Sequence, residues 1–286
     1  MCIRDRAKRW IYDSGVHVPF IIRWPGQIQA GSIREDVVST QDLAPTMLSI
    51  ANLDVPSYMQ GRVIAGPGTQ QEPEFLFFHR DRMDEAYELM RAARDRRFKY
   101  IRNYRVGRTY AQNIDYMNKM PTLVDLRRMR VGGELNPAQS RFFRTHKSAE
   151  ELYDLEKDPH ETVNLAWMPE HAARVAKMRG ALETWQDDIV DLGLVPEPVL
   201  MEQMRPNDVI EQVVSPTFDF DLADGNVIMS LASATEGASI QYRAGESDEW
   251  KLYSGPVLVQ SGQQIEAMAC RAGYRDSSSA MGTVTK

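Results

Sequence analysis

Lys8-Arg9-Trp10-Ile11-Tyr12-Asp13-Ser14-Gly15-Val16-His17-Val18-Pro19-Phe20-Ile21-Ile22-Arg23-Trp24-Pro25-Gly26 is the stretch from which the rest of the chain is read. Its second half, Val18 to Trp24, is apolar, β-branched and aromatic and is closed by the turn dipeptide Pro25-Gly26, which predicts a buried strand. Downstream, Asp42 to Ile50 opens with a candidate N-cap and has Pro45 in its first turn. Leu43, Met47, Ile50 and Leu53 fall on one face, predicting a short amphipathic helix. Strand followed by helix over a short connector is the α/β pattern.

Further along, Phe75-Leu76-Phe77-Phe78 and Phe98 to Tyr104 read as strands joined by a highly charged piece. In the second, Phe98, Tyr100 and Arg102 face one way and Lys99, Ile101 and Asn103 the other. Glu151 to Leu155 is a third strand, ended by the turn-forming Asp158-Pro159. Pro169 to Asp191 reads as a helix whose stripe of Val175, Met178, Leu182, Trp185, Ile189 and Leu192 docks on those strands, giving an α+β subdomain. The four prolines between Leu194 and Pro216 mark a linker with a boundary near residue 205. Beyond it, runs at 227–231, 239–243, 256–259 and 264–269 alternate between turn clusters, the pattern of a small antiparallel β-sandwich.

The chain has 286 residues, enough for two domains, and a net charge of -6, which offers no bulk attraction to nucleic acid or anionic membranes. No apolar run approaches the roughly 20 residues of a membrane span. Two cysteines, Cys2 and Cys270, build neither a disulfide framework nor a zinc site of the usual spacing. Residues 1–7 have no apolar core and no cleavage site, so they are not a signal peptide and read as a non-native leader.

Lys8 stands four residues before Tyr12 and ahead of Trp24-Pro25-Gly26, an arrangement that resembles the sulfatase family of the alkaline-phosphatase-like superfamily. There a lysine precedes a Tyr-Glu-Gly-Gly-x-Arg-x-Pro segment and a strand ending in Trp-Pro-Gly. The run Ser39 to Thr46 is similar to the family's Asp-Leu-x-Pro-Thr helix start, and Leu152-Tyr153-Asp154-Leu155 through Asp158-Pro159-His160-Glu161 to Asn164-Leu165 to its C-terminal signature. Asp13, Ser14 and His17 replace the usual Glu, Gly and Arg. This variant, with Arg80 to Glu85 and Arg102-Asn103-Tyr104, resembles heparan N-sulfatases and their bacterial relatives.

The resemblance implies the C-terminal part of an alkaline-phosphatase-like α/β enzyme (8–74), its small α+β subdomain with linker (75–204), and the β-sandwich (205–286). It implies hydrolysis of sulfate esters or sulfamates on a saccharide partner, a periplasmic or secreted location, and Lys8 in contact with the sulfate. The family's calcium and its formylglycine, made from the cysteine of Cys-x-Pro-x-Arg, belong before Lys8; Cys2 does not fit that segment, and the polypeptide as given is expected to be inactive. Phosphodiester or phosphonate hydrolysis within the superfamily and non-catalytic saccharide binding are the alternatives; oligomeric state is left open. The tail from Val227, through Tyr253-Ser254-Gly255-Pro256 to Ala272-Gly273-Tyr274, resembles the immunoglobulin-like C-terminal domain of chitobiase and bacterial β-hexosaminidases, with Ala244 to Ser247 in place of the usual Asp-Gly-Ser.

Chemically, sulfuryl transfer calls for cations near oxygens that gain charge as the bond to sulfur breaks, and an ammonium supplies a point charge with three donors. His79, Arg80, Asp81, Arg82, Asp84 and Glu85 follow a predicted buried strand, where a loop would present arginines to sulfate or carboxylate and acids to sugar hydroxyls; a solvated charged turn is the plain alternative. His17 is a candidate acid or base, or a replacement for the family's arginine. Asp154, Asp158, His160 and Glu161 cluster like metal ligands but are better explained by turn chemistry and capping, so no metal site is assigned to this chain. Tyr100, Tyr104, Tyr110 and Tyr116 read as core before sugar-stacking residues.

Overall fold

The computed structural model describes residues 9–83, 85–223, 226–245 and 249–284. They form two compact units, one ending at Leu194 and the other starting at Val195. In the first unit the order is α1 (Asp13–Val16), α2 (Leu43–Ile50), β1 (Leu76–Met83), β2 (Ala86–Arg94), β3 (Phe98–Asn103), α3 (Asp115–Asn118), α4 (Pro121–Gly132), α5 (Pro137–Phe142), β4 (Glu150–Asp154) and α6 (Ala172–Asp188).

The four strands form an antiparallel sheet in sequence order, β1-β2-β3-β4. Both faces are covered. On one, Ala93, Phe98, Tyr100 and Leu152 pack against Val175, Met178 and Leu182 of α6, the stripe expected from its spacing. On the other, Met90, Ala92, Ile101 and Tyr153 pack against Trp10, Ile11 and Tyr12 and against Leu123, Leu126 and Phe142 of the α4–α5 region. Helix α5 starts at a capping box in which Asn136 accepts from Gln139 N and Gln139 returns to Asn136 N, with Pro137 in the first turn.

Three readings of local structure are corrected. Val18 to Trp24 is not a buried strand: it has no strand pairing, with Val18 59% and Ile21 89% exposed. A strand needs a neighbour for its N–H and C=O groups, and among the described residues none lies alongside. The turn that follows is as expected, with Gly26 at φ +78°. The helix near residue 43 is capped by Ser39 rather than Asp42: a 3-10 turn over Thr40–Asp42 precedes α2, and the Asp42 carboxylate returns to Ser39 N at 2.9 Å. Its Leu43–Met47 stripe faces solvent, Met47 being 64% exposed, and the buried side is Pro45 and Thr46, whose Oγ1 accepts from Ile64 N. Finally, the charged piece between the first two strands is itself strand: β1 continues through Met83, which pairs with Ala86 of β2.

The second unit holds α7 (Glu197–Met204), inside the stretch read as linker, and β5 (Thr217–Ala223), β6 (Asn226–Ala232), β7 (Ser239–Ala244), β8 (Lys251–Leu252), β9 (Val257–Val259), β10 (Gln264–Cys270) and β11 (Ala280–Thr283). They make two antiparallel sheets, β11-β10-β7-β8 and β5-β6-β9. Alternate side chains of β6 (Val227, Met229, Leu231) and β10 (Ile265, Ala267, Ala269) enter one shared core with Val213, Ile240 and Val284.

Candidate functional site

Lys8 and Asp84 lie outside the described residues. His79 to Arg82 are distributed by strand alternation along β1, and Glu85 lies in the turn before β2. His79 is exposed, and Arg80 points into the core. Asp81 sits where the β1–β2 register shifts, and it pairs with the buried Arg91 at 2.8 Å. Arg91 also binds Asp191 at 2.6 Å, so Asp81 serves a buried guanidinium. Arg82 stacks on Tyr87, and Glu85 accepts from Asp115 N at 2.6 Å. Of this set Arg80 meets the segment that follows Lys8, over the Trp10 ring.

That segment is held by polar groups from the sheet. Trp10, Ile11 and Tyr12 are buried. Lys99 of β3, itself fully buried, donates from Nζ to Ile11 O at 3.1 Å and pairs with Asp13 and, at 3.0 Å, with Glu161. Glu161 also accepts from Asp13 N at 2.7 Å, and Arg94 pairs with Asp13 at 2.9 Å. Burial pushes the Glu161 carboxyl above its ordinary value although Lys99 pulls the other way. Glu161 has φ +53°, a backbone cost of order 1–3 kcal/mol that these contacts over-determine. Its role is therefore to anchor, not to cap the next element.

Glu151 of β4 is the second anchor. Its Oε2 accepts from the Tyr12 and Tyr153 hydroxyls, each at 2.7 Å, and its Oε1 from Tyr110 at 2.8 Å and Asn103 Nδ2 at 2.7 Å. Four donors on one buried carboxylate make it a rigid hub. Nearby, the Arg80 guanidinium lies 3.7 Å over the Trp10 ring and donates from Nη2 to Gln112 Oε1 at 2.6 Å. Gln112 passes on to Glu88 at 2.8 Å, and Glu88 pairs with Lys147. Burial lowers the Arg80 pKa to about 10 and that of Lys147 below its usual range, the Glu88 charge opposing both shifts. Arg80 Nε and Nη1 and Trp10 Nε1 are buried without a hydrogen-bond partner among the described residues. Such donors suit an oxyanion or hydroxyl acceptor.

Asp154 is bound to Arg97 at 2.6 Å, and Asp158 accepts from Thr162 N and Val163 N, which is turn chemistry as read. Tyr100 and Tyr110 are core, whereas Tyr116 is exposed under Arg9 at 4.4 Å and Tyr104 bonds Gln186 at 2.7 Å. The side chain of His17 is 71% exposed, 3.8 Å from Asp13. Among the described residues no group of three or more His, Cys, Asp or Glu could hold a metal ion, so no residue here is assigned to calcium. No described helix is long and apolar enough to cross a membrane. Lys99, Glu88, Gln112, Lys147 and Glu151 were not anticipated: Glu88, Lys99 and Glu151 lie on strands whose second face is covered only by long-range packing, and Gln112 and Lys147 lie outside helices and strands.

Residues 5–126 match the family model described as N-sulphoglucosamine sulphohydrolase, C-terminal. An ulvan-active sulfatase of Formosa agariphila is 37% identical over 277 residues, covering 95% of this chain and 46% of that protein. The N-sulphoglucosamine sulphohydrolase of Homo sapiens is 27% identical over 214 residues, covering 68% of this chain and 42% of that protein. The chain thus spans less than half the length of these relatives.

Proposed function

Since this chain belongs to the sulfatase family, we propose that the protein containing it hydrolyses sulfate ester or sulfamate groups on saccharides, with Lys8 donating to the transferring sulfuryl group. The observation that carries this reading is the fixation of the segment just after Lys8: Trp10 to Asp13 is locked by Lys99, Glu161 and Glu151. Charge that develops in the transition state is stabilised best by groups carried on a rigid support, and Trp10 to Asp13 is such a support. Arg80 adds unpartnered N–H donors beside Trp10 and is assigned to substrate anion or hydroxyl binding. His79, Asp81, Arg82 and Glu85 are not assigned that role: Asp81 serves Arg91, Arg82 lies over Tyr87, Glu85 accepts from Asp115 N, and His79 is exposed.

Formylglycine and calcium are expected from family membership. When bound, calcium would offset sulfate charge and formylglycine would supply the nucleophile; none of the described residues is assigned to either. A secreted or periplasmic location belongs to the same reading. For the second unit, the shared core of two antiparallel sheets supports an immunoglobulin-like β-sandwich, and the 95% coverage by the ulvan-active relative supports its being a regular part of such sulfatases.

The test is sulfate release from N-sulfated and O-sulfated glucosamine and from ulvan oligosaccharides, by the protein expressed from its complete reading frame. Replacing Lys8 with Ala should lower kcat about 10²–10³-fold. Absence of release with every substrate, or an unchanged rate in Lys8→Ala, would overturn the assignment.

A further inference from the structure

A cavity of about 500 Å³ opens between α5, the segment leading into β4, and the turn after β4. That volume lies within the range of small-molecule sites. Its inner wall includes Tyr110, Tyr153 and Glu151, the hub that also receives Tyr12, so the cavity and the Lys8 segment share one rigid support. Arg141, Arg144 and His146 stand around it, all exposed.

The local sequence explains the placement. In Arg141-Phe142-Phe143-Arg144 the two phenylalanines are buried, ring centroids 5.4 Å apart, and the two arginines are left outside. The capping box at Asn136 fixes the helix that carries Arg141. Several exposed or half-exposed arginines of this unit are engaged, Arg34 with Asp36, Arg97 with Asp154 and Arg179 with Glu150. Arg141 and Arg144 have no carboxylate within 4 Å among the described residues. The two acids in the cavity wall are occupied internally, Glu151 by its four donors and Glu161 by Lys99 and Asp13 N. The cavity therefore presents uncompensated guanidinium forks in a chain whose net charge is -6.

We infer that this cavity is a binding subsite for an anionic sugar residue, its carboxylate or sulfate oxygens held by Arg141 and Arg144 with His146 at the rim. Guanidinium forks match both oxyanions, and the polar wall suits a hydroxylated ring rather than an apolar ligand. The identity of the ligand as a saccharide rests on the sulfatase reading; the anion site itself rests on the cavity and its charges.

The experiment is calorimetric titration of the chain, at low salt, with a sulfated uronate-containing ulvan tetrasaccharide, its desulfated form, its carboxyl-reduced form, and a neutral tetrasaccharide of equal length. The double variant Arg141→Ala/Arg144→Ala should bind the sulfated tetrasaccharide roughly tenfold or more weakly, with an unchanged melting temperature because both side chains are exposed. Arg141→Lys/Arg144→Lys should retain part of the affinity. Lost affinity in the desulfated ligand identifies sulfate as the anchor, and in the carboxyl-reduced ligand the carboxylate; either supports the site. Equal binding by wild type and the Ala variant, or equal binding of the neutral ligand, overturns it. Failure of sulfate release with arginine-dependent binding intact would remove the catalytic reading alone.

Discussion

Replacing Lys99 with Met removes one ammonium and changes little else in volume, so it isolates the charge that holds Asp13 and Glu161. Both carboxylates keep other donors: Asp13 has Arg94 at 2.9 Å, and Glu161 has the Asp13 amide at 2.7 Å. Breaking a buried pair costs about 3–5 kcal/mol, and these remaining contacts place the variant at the lower end, about 3 kcal/mol. For a unit of this size that corresponds to a melting temperature lower by about 6–12 °C. The pH dependence gives a second signature. Because the folded Glu161 carboxyl is raised, its contribution to stability is full below its unfolded value of 4.5 and is lost as pH rises through the folded value. Without Lys99 that loss deepens, so the deficit of Lys99→Met should be largest at neutral pH and narrow as pH falls toward 4.5. Denaturant unfolding of wild type and variant at several pH values measures it, and Lys99→Met/Glu161→Gln should recover part of the loss. A deficit below about 1 kcal/mol, or one that does not change with pH, would refute the argument.

Tyr12→Phe removes one of four donors to Glu151 and should cost about 1 kcal/mol, whereas Glu151→Ala strands the buried hydroxyls and should cost about 3 kcal/mol or more, both read by chemical denaturation. Gly193→Ala would drive a Cβ into Arg91 Nη2 and Asp81 Oδ2; a loss above about 2 kcal/mol is expected in the same measurement. Burial raises Glu150, but hydrogen bonds from Arg179 and Tyr100 outweigh it and leave the carboxyl below its usual range. Its contribution is present above 4.5 and lost as pH falls through the depressed value, so Arg179→Leu should move the midpoint of acid unfolding to higher pH.

How much of this was legible depends on what each segment packs against. Phe98 to Asn103 was read correctly because its alternation is strict, and Tyr100 and Ile101 do face opposite cores. Alternation could not reveal that the face bearing Lys99 and Asn103 is also buried; that follows from Trp10 to Asp13 docking on it from far along the chain. The same long-range contact turns Glu161 from a local capping residue into an anchor. Arg80 to Met83 looked like a loop because of its charge, yet the ladder to β2 holds it as strand, with Arg91 paired to Asp81. Val18 to Trp24 has strand composition without a strand partner among the described residues, and composition alone does not pair a backbone.

The distance between Tyr12 and its acceptor has a consequence for how the protein is made. Tyr12 meets Glu151 across 139 residues, and Glu151 enters the sheet only with its last strand. At about 5–20 residues per second, synthesis needs about 7–28 s to deliver that partner after Tyr12 has emerged. During that interval Trp10, Ile11 and Tyr12 have Met90, Ala92 and Ile101 of β2 and β3 to pack on, but the Tyr12 hydroxyl lacks its acceptor and the cluster lacks Tyr153. The local hairpins of β1 to β3 close first, as short loops do, and the Trp10 to Asp13 segment is fully locked only when β4 is added. Nascent chains halted before Glu151 should therefore be recognised by holding chaperones at the Trp10 to Tyr12 segment more than chains in which β4 is in place.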